Sequence, residues 1–169
     1  MSVSFHTMRG GYGLIEIVVA IALVVTFVSS IAAAAHFELR AVNESARRSQ
    51  VAFLLEEGVE AVRSIRDRGW TAGIQPLVSG TVYYPVFSIQ WKLVTTDPGP
   101  LDGRFTRTVV VGDIYRRDSD ADIVDVSSGD PKTIDPSTKL VTVTVQWTGT
   151  GGGTQTQAIA TYITDLFGN

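Results

Sequence analysis

The feature that most limits how this chain can fold is a run of 19 residues without a charge, Ile17 to Ala35, headed by a single glutamate, Glu16. At ~1.5 Å rise per residue the run spans ~28 Å as a helix, close to the ~30 Å hydrocarbon core of a bilayer. A transmembrane segment over about 14–36 is therefore expected. A carboxylate at the edge of such a segment is costly to desolvate and calls for a partner. The residues leading into it read Arg9-Gly10-Gly11-Tyr12-Gly13-Leu14-Ile15-Glu16. Arg9 is expected to stay on the cytoplasmic side under the positive-inside tendency.

Gly11 followed by Tyr12-Gly13-Leu14-Ile15-Glu16 resembles the processing site of type IV pilin precursors. The resemblance implies that a prepilin peptidase cuts between Gly11 and Tyr12, that Tyr12 becomes the N-methylated first residue, and that Glu16 stands fifth in the mature chain. A cut after Gly10 or Gly13 would make the glutamate sixth or third, so the spacing selects Gly11. Tyr12 stands where phenylalanine is commoner in that family. The first proline is Pro76, whereas major pilins often carry one within the helix; this favours a minor pilin or pseudopilin. The segment Leu54 to Asp67, with Trp70, is also similar to minor pilins of the type IV pilus modification class.

What the resemblance implies is a pilin-like α+β protein. Residues 1–11 would be the leader, 12–69 a long helix and 70–169 a β-rich outer domain. The chain would sit in the cytoplasmic membrane as a single-pass protein with the outer domain outside the cytoplasm. Its expected partners are prepilin peptidase, a pilus or type II secretion assembly platform, and other pilin subunits docked through the helix. Cleavage leaves a charged amine on Tyr12, which Glu16 of a neighbouring subunit can pair in the filament. A buried charge is tolerable only when paired, so the pair would check register during assembly.

Two other readings remain open. The chain could be a non-polymerising, membrane-anchored β-domain that binds a ligand. It could also be a secreted domain released at the Ala-rich end of the run, Ile31 to Ala35. Against the second, Glu16 interrupts the start of an h-region, and the run exceeds the ~7–15 residues typical of one.

Beyond the apolar run no strong helix breaker appears before Gly69, which predicts one helix over Tyr12 to Arg68. Val51, Leu54, Leu55, Gly58, Val62 and Ile65 recur at helical spacing and mark its buried stripe. Gly58 within that stripe is expected where another element packs closely. Glu60 and Arg63 are spaced as an i,i+3 pair. Gly69 follows Arg66-Asp67-Arg68 as a C-terminal cap, and Trp70 turns back to the core.

Four antiparallel strands are then expected. Phe87, Ile89, Trp91 and Leu93 alternate with polar residues and read as the first. Phe105 to Val111, continuing to Tyr115, reads as the second. Asp118 to Thr138 reads as a long polar loop. Val141 to Trp147 is the clearest strand, Gly149 to Gly153 a glycine-rich turn, and Gln157 to Phe167 the last strand, with Ile159 and Ile163 on one face.

Charge and composition narrow the chemistry. The net charge of −3 lacks the basic excess of a nucleic-acid binder, and the absence of cysteine excludes disulfides and thiol nucleophiles. Downstream of Gly11 the only histidine is His36, at the end of the apolar run, where an interfacial position suits it better than a catalytic one. Asp118, Asp120, Asp122, Asp125 and Asp130 lie at calcium-like spacings. However, Ile123 and Gly129 stand where an EF-hand loop needs its glycine and its glutamate. A solvated acidic loop is the expectation, with no metal, cofactor or catalytic residue assigned.

Overall fold

The computed structural model describes residues 12–149, 151–166 and 168. The expected leader, residues 1–11, including Gly11 on one side of the expected cut, lies outside the described residues. The fold is α+β: one long N-terminal helix precedes a C-terminal antiparallel sheet. The chain divides into two compact units, residues 1–46 and 47–169.

Helix α1 runs Tyr12–Arg68, 57 residues among those described, and its last residue is the one before Gly69, where the first strong breaker was expected to end it. In the first unit its apolar side chains, from Leu14 through Ile31, are all exposed. Two hydroxyls within this stretch turn onto their own helix. Thr26 Oγ1 donates to the Ala22 carbonyl at 2.7 Å and Ser30 Oγ to the Thr26 carbonyl at 2.8 Å. A helix that satisfies its hydroxyls internally presents little unsatisfied polarity to an apolar solvent.

In the second unit the later part of α1 covers the sheet. Val51, Leu55, Val59, Ala61, Val62 and Ile65 are buried, and Leu54 is half-buried. Helix α1 ends at Gly69, whose N–H donates to the Arg66 carbonyl at 3.0 Å and whose φ of 149° suits glycine. A single turn, α2 (Trp70–Gly73), then buries Trp70, whose indole N–H donates to the Pro136 carbonyl at 3.2 Å.

The strands are β1 (Val82–Phe87), β2 (Trp91–Val94), β3 (Phe105–Arg117), β4 (Ile123–Val124), β5 (Lys132–Thr148) and β6 (Thr154–Thr164). Their order is β2-β1-β3-β5-β6, all antiparallel, with β4 added to the far end of β3. Alternate residues Val109, Val111, Val141, Val143 and Val145 are fully buried against the helix stripe.

Two expectations about strands need correction. Phe87 to Leu93 is not one strand but the tip of a hairpin: Ser88–Gln90 turns, Phe87 pairs Trp91, and Ile89 is 95% exposed. The apparent alternation continues across the turn because no glycine, proline or asparagine punctuates it. The stretch Asp118 to Thr138 is not all loop, because β4 lies within it and β5 begins at Lys132. The register slips there, from Asp113 opposite Lys139 to Ile114 opposite Asp135, so Pro136 falls in the irregularity and withholds no ladder hydrogen bond from β3. The sheet therefore has six strands where four were expected.

Candidate functional site

The candidate site is the head of α1. Glu16 lies on α1 immediately ahead of the uncharged residues Ile17 to Ala35. Glu16 is exposed, and among the described residues it makes no ion pair or hydrogen bond through its side chain. A carboxylate on an apolar, unpacked helix is chemically unfinished: it needs a cation once water is removed. The helix is long and apolar enough to cross a membrane, with its most apolar stretch wholly unburied by the rest of the chain. His36 is exposed at the end of that stretch.

The acidic stretch is organised by arginine. Arg117 Nη1 meets Asp120 Oδ2 at 2.7 Å, and Arg117 Nε meets Asp130 Oδ2 at 3.0 Å. Asp118 accepts from Thr133, and Asp125 accepts from the backbone and hydroxyl of Ser127. Arg116 Nε binds Asp135 at 2.7 Å. Among the described residues no three or more acidic or histidine side chains gather as a cation cage. The carboxylates instead hold β4 and the start of β5 onto β3.

Asp120 titrates below its ordinary value, chiefly because the Asp122 backbone N–H donates to it, then because of Arg117. Asp125 is lowered by the Ser127 hydroxyl and backbone. For Asp135 burial opposes ionisation, but Arg116 and the Ser137 backbone N–H outweigh it, and the net shift is downward. The folded state therefore binds these protons less readily than the unfolded chain. Their contribution is complete above the unfolded aspartate range, about 3.9, and is lost as pH falls below it. Thermal melts of the full chain are expected to show no pH dependence from these groups between about pH 5 and 7, where their contribution is fully present, and a falling midpoint below about pH 4. The Asp135→Asn variant should melt lower at neutral pH and lose less on acidification. Parallel acid profiles for the two proteins would contradict this account.

Sequence reasoning missed the most buried charge. Arg107, 5% exposed, reaches from β3 to α1. Its Nη1 donates to Glu57 Oε2 at 2.6 Å and to the Leu54 carbonyl at 3.2 Å, and its guanidinium lies 5.5 Å from the Trp91 ring centroid. The signal was present in the strand pattern: Phe105, Arg107, Val109 and Val111 share one face, so period 2 alone puts Arg107 against the helix. Glu57 keeps half its side chain in solvent, so the pair is partly screened and serves mainly to fix the helix on the sheet.

No family model, curated protein or solved structure matches the chain.

Proposed function

We propose that the protein is a minor pilin or pseudopilin, cut by a prepilin peptidase between Gly11 and Tyr12 and assembled through α1 into a type IV pilus or type II secretion-like filament. The observation that carries this reading is the spacing of Glu16, fifth from the proposed cut and immediately before an uncharged run on a long helix. The exposed apolar surface of that run supports it. The same face serves lipid before assembly and neighbouring helices afterwards, and its Ala20, Ala22, Ser29, Ser30 and Ala32 to Ala35 permit close helix contacts. The sheet-bearing unit supplies the outward surface. In this reading the protein is not an enzyme, and its partners are the peptidase, the assembly platform, the membrane and other subunits.

The test is the mass of the N-terminal peptide from cells with and without a prepilin peptidase. The expected product starts at Tyr12 with one added methyl group, and only when the peptidase is present. An uncut chain would favour a membrane-anchored binding module that never polymerises. A start near His36 would mean a secreted domain.

A further inference from the structure

Seven of the nine arginines of the second unit are engaged. Arg63, Arg66, Arg107, Arg116 and Arg117 hold carboxylates, Arg68 donates to the Trp91 carbonyl, and Arg48 also has a partner. The two exceptions are Arg47 and Arg104, whose guanidiniums have no hydrogen-bond or ion-pair partner among the described residues. Both line one cavity of about 350 Å³, together with Gly103, Phe105, Trp147 and Thr148. The only unpaired guanidiniums of the unit's described residues thus belong to residues that line the same cavity, with no carboxylate in the lining.

The backbone sets both groups in position. Arg47 projects from α1 and is partly buried. Arg104 follows a two-residue turn, Leu101-Asp102-Gly103-Arg104, with φ of 49° at Asp102 and 67° at Gly103 and the Arg104 N–H donating to the Leu101 carbonyl at 3.0 Å. Positive φ at both central residues is the I′ geometry that an Asp-Gly pair favours, so the turn enters β3 in one register. Trp147, paired with Phe105 across β3 and β5, also lines the cavity. Its indole N–H is buried and has no acceptor among the described residues.

We propose that this cavity binds a phosphate ester. Each guanidinium presents a planar fork that matches two phosphate oxygens, and two such cations balance a dianion. A simple carboxylate carries one negative charge and leaves the second cation uncompensated. Phe105 and Trp147 in the lining offer apolar surface for the organic part of the ester, and the volume exceeds what inorganic phosphate needs. The proposal needs only residues of this unit and does not depend on filament assembly.

Free metabolites and phospholipid headgroups share this chemistry, and one experiment separates them. The full chain is placed in phosphatidylcholine nanodiscs, and the Trp147 indole N–H signal, assigned by its loss in Trp147→Phe, is followed by NMR. Glycerol phosphate is then titrated, and parallel discs contain phosphatidylglycerol. A saturable shift with glycerol phosphate in plain phosphatidylcholine identifies a soluble ester. A shift already present in phosphatidylglycerol discs, which raises the glycerol phosphate needed, identifies a headgroup. Under either source, Arg47→Gln and Arg104→Gln each weaken the response by about tenfold while the other indole signals stay in place. No shift from either phosphate, or a response unchanged in both variants, overturns the proposal.

Discussion

Replacing Gly58 with leucine is expected to cost the sheet-bearing unit about 3 kcal/mol or more, a fall of roughly 10 °C in the melting midpoint. A Cβ at this position would stand 2.6 Å from Val143 Cγ1 and 3.2 Å from Arg107 Cδ. Neither neighbour yields easily. Val143 is fully buried and β-branched, and Arg107 is tied to Glu57 and to the Leu54 carbonyl. Even Gly58→Ala should destabilise. Alanine gains about 0.5–1 kcal/mol in a helix interior, but overpacking of this kind costs about 1–3 kcal/mol. The pair Gly58→Ala with Val143→Ala should lose less than the sum of its parts, by about 1 kcal/mol, because the second change empties the space the first one fills. Thermal melts of the four proteins close the cycle. A neutral or stabilising Gly58→Ala would mean that helix and sheet are not held this closely.

Gly58 also illustrates what was legible in the sequence. A glycine inside an apolar helical stripe has few reasons to be there, and close approach is the commonest. The end of the helix, the buried stripe, the Gly69 cap and the return of Trp70 were readable for the same reason, since each rests on local periodicity or a single cap. What was not readable depends on residues distant in sequence. The β1–β2 turn uses Ser88, Ile89 and Gln90, which carry no turn signal of their own. The start of β5 is polar because Arg116 on β3 meets Asp135 within it and Arg117 meets Asp130 just ahead of it, so the pairing is ionic where the pattern looks for apolar alternation. The cavity at Arg47 and Arg104 joins two residues 57 positions apart, which no window along the chain brings together.

The Glu16→Ala variant is expected to insert into the membrane and to be cut at Gly11, yet to lose at least about tenfold in filament incorporation. Insertion should persist because removing a carboxylate makes the segment more apolar, and charges are what segments of this kind tolerate least. Assembly should fail because the proposed cut leaves a cationic amine on Tyr12, and the filament interior removes water from it. Breaking one partner of a buried pair leaves the other charge uncompensated, a cost of about 3–5 kcal/mol, and about 1.4 kcal/mol already corresponds to tenfold. Glu16→Gln separates charge from shape: it keeps the size of the side chain but lacks the anion, and should fail almost as badly as alanine. Glu16→Asp keeps the anion on a shorter arm and should recover part of the yield. Membrane fractions, the mass of the processed N-terminus and the amount of sheared filament report the three steps separately. Equal filament yields from wild type and Glu16→Ala, with processing intact, would remove the charge pair from the account of assembly. The peptidase-dependent cut at Gly11 would then be judged on its own result.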